Sequence, residues 1–153
     1  SSLMVGLGET RDEVVDAMSA MARNKVGALV VIERNDPLGD IVERGIQVDS
    51  LVTKELLMTI FHPDTPLHDG AVVIRSGRIA GASCILPLSG GLRHRPELGT
   101  RHRAAVGITE ESDAIAIVVS EERGSISVSI GGRLTASLDE VRLRRVLRNA
   151  LAR

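Results

Sequence analysis

Gly27-Ala28-Leu29-Val30-Val31-Ile32 is the stretch on which the fold turns. It is too short for a buried helix, and Val30, Val31 and Ile32 branch at Cβ, so it reads as a buried strand. Before it, Thr10-Arg11-Asp12-Glu13 fits a capping box, and Val14, Ala17, Met18, Met21 and Ala22 follow at helical spacing. These predict an amphipathic helix over 10–24. Residues 1–9 read as a tag remnant or linker stub outside the domain, which is expected to span 10–153.

Beyond the strand, Asn35-Asp36-Pro37-Leu38-Gly39 is a turn-rich break, followed by a short strand over 46–48 and a helix over 50–61 with Leu56, Leu57 and Ile60 facing inward. His62-Pro63-Asp64-Thr65-Pro66 ends that helix and holds an extended loop, because proline fixes φ and restricts the residue before it. Strands over 71–74 and 79–86 flank Ser76-Gly77 as a hairpin. A loop over 87–96 leads to a helix over 98–107, then to strands over 114–119 and 126–130, and Gly131-Gly132 turns the chain again. Ser137-Leu138-Asp139-Glu140 is a second capping box, opening a closing helix through Val141, Leu143, Val146, Leu147 and Leu151. This order predicts the α/β class, with a single central mixed β-sheet flanked by helices.

At 153 residues, with 43% hydrophobic and 25% charged, the chain is expected to be one compact soluble domain. A formal net charge of −1 supplies no global field toward nucleic acid or an anionic membrane. Yet every cation except Lys25 and Lys54 is arginine, whose planar fork suits phosphate. The single cysteine, Cys84, lies in an apolar run and reads as a buried reduced thiol of a cytoplasmic protein; no activating context suggests a catalytic one. No apolar run approaches the ~20 residues that span a bilayer, and no signal peptide is recognisable. The closing helix carries Arg142, Arg144, Arg145, Arg148 and Arg153, a solvated face first and a contact for an acidic partner or membrane surface second.

Three segments carry candidate chemistry. Pro66-Leu67-His68-Asp69-Gly70-Ala71 delivers a loop into a strand; Asp-Gly is a turn signal, or else Asp69 offers a carboxylate to a divalent cation while Gly70 lets a ligand approach the backbone. Glu97-Leu98-Gly99-Thr100-Arg101-His102-Arg103 is either a basic helix face or a phosphate clamp of forked donors, a hydroxyl and free amides at a helix start. The similar Leu92-Arg93-His94-Arg95 lacks the Gly-Thr lead and reads as surface. Ser120-Glu121-Glu122-Arg123-Gly124 is a charged hairpin turn, or a carboxylate group completing a metal or triphosphate site.

Taken with 27–33, the run 65–72, Leu98-Gly99-Thr100-Arg101-His102-Arg103-Ala104-Ala105 and Val118-Val119-Ser120-Glu121-Glu122 make the chain resemble diadenylate cyclase domains, the DAC or DisA-N family, most closely its CdaA-type branch. The resemblance runs from about Ala17 through the closing helix. It implies condensation of two ATP into cyclic di-AMP with Mg²⁺ or Mn²⁺. Asp69 is then a metal ligand that helps make the ribose 3′-hydroxyl nucleophilic, with His68 as a second ligand. Thr100, Arg101, His102 and Arg103 hold phosphates, with Gly70, Ala71 and Gly99 at the nucleotide; Ser120, Glu121 and Glu122 lie near the triphosphate, Glu122 also at the metal.

Because each 3′-hydroxyl attacks the other ATP, the family's chemistry implies a face-to-face homodimer. It implies no nucleic acid partner. CdaA-type parents carry membrane helices, so the full-length parent is expected at the cytoplasmic face of the membrane. One departure concerns the base: Phe61 is the sole aromatic residue, and Cys84-Ile85-Leu86-Pro87-Leu88 offers adenine Ile85 and Leu86 rather than a stacking ring. Stacking of ~1–3 kcal/mol per base is then absent. The competing reading is a catalytically inactive binder of ATP or a cyclic dinucleotide.

Overall fold

The 27–32 run is a strand: β1 (Ala28–Ile32) is buried along its whole length. In the computed structural model, which describes residues 2–91 and 98–152 with side chains from residue 8, it lies at the centre of a seven-stranded sheet. It pairs in parallel with the strand Ala71–Arg75 and antiparallel with the strand Ile115–Val119. In chain order the elements are α1 (Ser2–Arg23), β1, α2 (Gly39–Arg44), β2 (Ile46–Leu51), α3 (Lys54–Phe61), β3 (Ala71–Arg75), β4 (Arg78–Cys84), α4 (Thr100–Glu111), β5 (Ile115–Val119), β6 (Ile126–Ile130), β7 (Arg133–Leu138) and α5 (Glu140–Leu151). The sheet order is β2-β4-β3-β1-β5-β6-β7, mixed as expected.

Alternation along the central strands makes two cores. Ala28, Val30 and Ile32 of β1 and Ile115, Ile117 and Val119 of β5 face α1, α3 and α5, packing with Met18, Leu57, Phe61, Leu143 and Leu147. Leu29, Val31, Ala116 and Val118 face the other way, onto Val42 of α2 and Ala104, Ala105 and Ile108 of α4. Both faces of the sheet are covered, which is why β1 and β5 read as unbroken apolar runs.

Several boundaries move. Residues 2–9 continue α1 backward instead of lying outside it; Leu3, Met4, Leu7 and Glu9 are good helix formers. Thr10 is therefore inside a helix and caps nothing at its start. Glu13 works elsewhere: its carboxylate accepts from the Lys54 amide at 2.9 Å, beside the Thr53 hydroxyl that accepts from Leu56 at 3.0 Å, and together they cap α3. That helix starts at Lys54 because 50–51 extend β2. The break expected at Gly39 opens the one-and-a-half-turn helix α2. β7 occupies a stretch given no element above, and Ser137 belongs to it at φ 59°. The cap of α5 is instead Asp139, whose carboxylate accepts from the Arg142 amide at 2.7 Å. The 92–97 segment, with Arg93, His94, Arg95 and Glu97, and Arg153 lie outside the described residues.

The candidate nucleotide cleft

β1 and β3 run in parallel, and the chain enters both at the same end of the sheet, through Gly27 and through Asp69-Gly70. β5 runs the opposite way and leaves at that end through Ser120. There Gly27, Phe61, Pro63, His68, Asp69, Gly99, Thr100, Arg101, His102, Val119, Ser120, Glu121 and Glu122 line a cleft of about 510 Å³. All three candidate segments thus converge, although they are separated by some thirty and twenty residues of chain. The cleft lies at the amino ends of the parallel pair. Open α/β sheets more often bind ligands at the carboxyl ends, where a second cavity of about 990 Å³ sits here.

Each segment is held by its own backbone. The loop after α3 folds on Thr65, whose hydroxyl donates to Ile60 O at 2.6 Å and whose carbonyl accepts from His68 Nδ1 at 2.7 Å. A carbonyl cannot donate, so His68 carries a hydrogen on Nδ1, which leaves Nε2 as the ring nitrogen not engaged by Thr65. The turn after β5 closes through Ser120 N to Ser125 O at 3.0 Å and Gly124 N to Ser120 O at 2.8 Å. Gly124, at φ 65°, packs so closely on the end of α1 that a Cβ would stand 2.5 Å from Ala22 O, which seats the turn carrying Glu121 and Glu122 against that helix.

α4 begins at the cleft with Gly99 as its cap, without a side-chain cap bond and without an acidic residue in its first turn. The positive end of its dipole therefore faces the cleft, where it favours an anion. His102 is buried. Arg101 is mostly buried, with Nη1 at 3.7 Å from Glu121 Oε1. Its Nε is buried and makes no hydrogen bond.

Not every expected residue reaches the cleft. Arg103 donates from Nε to Ser89 O at 3.3 Å, and its carbonyl accepts from Ser89 N at 3.0 Å, so it ties α4 to the chain after β4. Gly70, at φ 86°, is approached by β4 rather than by an open ligand space: a Cβ there would stand 2.8 Å from Cys84 O. Ala71 and Leu86 are buried in the sheet core, while Ile85 is 76% exposed. Conversely, Gly27, Phe61 and Pro63 line the cleft without having been expected there. A glycine placed directly ahead of the central strand was the available signal for the first; nothing in the sequence marked the other two.

His68, Asp69 and Glu122 share the cleft, but among the described residues no three His, Cys, Asp or Glu side chains form a metal-holding group. Asp69 and Glu122 nonetheless suit Mg²⁺ or Mn²⁺, hard cations commonly held by one or two carboxylates with substrate phosphates completing the shell. Cys84 is fully buried, and burial pushes its thiol up to about 11, as expected of a structural cysteine.

The family model for the DisA bacterial checkpoint controller nucleotide-binding domain, DAC, matches residues 15–134. The chain belongs to the DAC family. Within it, the cyclic di-AMP synthase CdaA of Bacillus subtilis is 48% identical over 139 residues, which cover 91% of this chain and 51% of that relative. The chain therefore spans about half the length of that protein. A crystal structure of a DacA double mutant from Staphylococcus aureus superposes with a TM-score of 0.90 at 43% identity, covering 93% of this chain and 95% of that one. A structure described as a hypothetical membrane spanning protein from Bacillus cereus gives 0.80 at 42% identity, covering 85% and 64%. The mixed sheet flanked by helices is thus the fold of the DAC family.

Proposed function

We propose that this DAC-family chain is a diadenylate cyclase, condensing two ATP into cyclic di-AMP with release of two pyrophosphates. The observation that carries the reading is the convergence of Asp69, of the uncapped start of α4 with Arg101, and of Ser120 to Glu122 on one cleft. The relatives' names support it: CdaA is called a cyclic di-AMP synthase. In each half-reaction a ribose 3′-oxygen bonds to the α-phosphorus of the other ATP. The bond from that phosphorus to the bridging oxygen of the β-phosphate breaks, pyrophosphate leaves, and the hydroxyl proton is lost to solvent.

The protein's task is positioning and charge stabilisation. The first-turn amides of α4 with Thr100 and Arg101 bind the triphosphate and stabilise charge on the departing pyrophosphate. Asp69 orients the 3′-hydroxyl from the rim of the cleft and, with Glu122 and the substrate's phosphate oxygens, would hold the cation. Mg²⁺ or Mn²⁺, when bound, supplies neutralisation of phosphate charge and a lower pKa for the hydroxyl.

Two clefts must face each other, so catalysis requires a homodimer of roughly two-fold symmetry. The kinship with a protein described as membrane spanning supports a longer parent that places this domain at the cytoplasmic face of the membrane. Incubation with ATP and either cation, followed by chromatography and mass spectrometry, tests the activity. Cyclic di-AMP and pyrophosphate are expected, with specific activity falling on dilution to monomer. ATP bound but unchanged with both cations and at all protein concentrations would make the chain a nucleotide-binding regulatory module instead.

A further inference from the structure

Among the described residues that line the cleft, Arg101 is the cation, and few bonds fix its fork. Its Nε makes no hydrogen bond, and its contact with Glu121, itself 66% exposed, is long at 3.7 Å. What the guanidinium does have is a seat. A Cβ on Gly27 would stand 2.5 Å from Nη1, 2.7 Å from Cζ and 3.1 Å from Nη2, so the guanidinium occupies the space that any side chain at 27 would fill.

We propose that Gly27 is a positioning residue: the missing side chain at the head of β1 is the socket that holds the Arg101 guanidinium against the sheet, in line with the triphosphate. The inference rests on the cyclase reading. Gly27 is buried at the junction of α1 and β1, and its φ lies outside the left-handed region, so no backbone requirement explains a glycine there. The atoms that would meet the new methyl belong to the end of a flexible side chain, not to backbone. An alanine is therefore accommodated by moving Arg101, by about 1 Å to regain an ordinary contact of ~3.5 Å. The fold is spared and the charge is displaced. Pairing of Ala28 with Val119 sets β1 beside the strand that delivers Ser120 to Glu122, so the socket is in register with the opposite wall of the cleft.

Displacement of a charge-stabilising group by this distance costs about 10- to 100-fold in rate. In Gly27→Ala, kcat for cyclic di-AMP is expected to fall by that factor with the thermal midpoint unchanged. In an Arg101→Lys background the same change is expected to cost less than about threefold, because the slender lysine stem clears the methyl and the two sites no longer couple. Wild-type kcat in Gly27→Ala would overturn the proposal. So would an equal fold-loss in both backgrounds, which would trace the effect to β1 itself. The arginine Nε–Hε region of a ¹⁵N–¹H spectrum, with the Arg101 signal assigned from Arg101→Lys, decides the matter without turnover: Gly27→Ala must move that signal, and an unmoved signal overturns the socket. A wild-type chain that makes no cyclic di-AMP would sink the cyclase reading, while the spectrum still reports on the socket.

Discussion

Beyond the carboxyl end of β1, Glu33 accepts from Arg75 Nε at 2.7 Å and from the Leu38 amide, Glu13 accepts from the Lys54 amide, Arg78 meets Asp49 at 2.9 Å, and Asp113 accepts from the amides of Asn35 and Asp36. At the amino end, Asp69, Arg101, Glu121 and Glu122 line a cleft, and the Arg101–Glu121 pair spans 3.7 Å. The same residue types do two kinds of work in one sheet. Where a carboxylate's acceptors are taken up by nearby amides and arginines it fixes the chain; where they are left open beside an uncapped helix start it is available to a ligand.

The sharpest way to break this contrast is Asp69→Asn. The substitution keeps the shape and removes the charge, so product formation should fall by at least ~100-fold. Stability by urea denaturation should stay within ~0.5 kcal/mol, as for a surface change outside any network. Normal turnover would remove Asp69 from the mechanism.

Glu33→Ala asks the converse question at the other end. The Glu33 side chain is 9% exposed and accepts from Arg75 Nε and Nη2 and from the Leu38 amide, so its loss leaves three donors without their acceptor. We expect ~1.5–3 kcal/mol of destabilisation, the range for hydrogen bonds to a charged group. Below the unfolding transition, kcat should not change. A Glu33→Ala chain that kept its stability and lost turnover would reverse the assignment of the two ends.

How much of this was readable in advance follows from the range of the forces involved. β1 and β5 were legible because they are buried on both faces, which writes itself as an apolar run, and β6 because Ile126, Val128 and Ile130 alternate with serines at the strand period. Thr10-Arg11-Asp12-Glu13 misled because a capping box is a local pattern, whereas Glu13 is used by Lys54, a partner 41 residues away. β7 escaped because its surface is mostly exposed, leaving only Leu134 and Leu138 as weak markers. For the site, the motifs pointed to His68, Asp69, Gly99 to His102 and Ser120 to Glu122, and these residues line one cleft. Arg103 lies in the same motif but turns toward Ser89, since neighbouring helical residues point about 100° apart and cannot all face one cleft. Gly27 escaped because a socket has no side chain to recognise; its partner is 74 residues along the chain.

Cys84 probes whether nearness to the cleft is enough to make a residue functional. It pairs with Ala71, two residues from Asp69, yet it is fully buried and its thiol is pushed up to about 11 by burial. The native protein at pH 8 should resist a disulfide reagent such as DTNB, and the thiol should react fully after denaturation, because attack needs an accessible thiolate. Rapid labelling of the folded chain with loss of turnover would make Cys84 part of the site.

The smallest expected effect, and the finest test of the contrast, is at Asp113. The Asp36 amide above all holds this carboxyl below its ordinary value of 3.8; burial opposes it as the next largest effect, and the Asn35 amide and the charge of Arg34 add to the lowering. A carboxylate whose folded pKa is depressed stabilises the fold above the unfolded pKa, and this contribution is lost as the pH falls through the folded value. Stability at the fixed end of the sheet should therefore decline on acidification from about pH 5 to pH 3. The size should stay below ~1 kcal/mol, because the group sits near the surface and water screens it. In Asp113→Asn that part of the acid limb disappears, which urea denaturation at a series of pH values would show as a flatter decline than in the wild type. An unchanged slope would mean that the amides of Asn35 and Asp36 hold the neutral acid as well as the carboxylate, and that charge contributes nothing to fixing this turn.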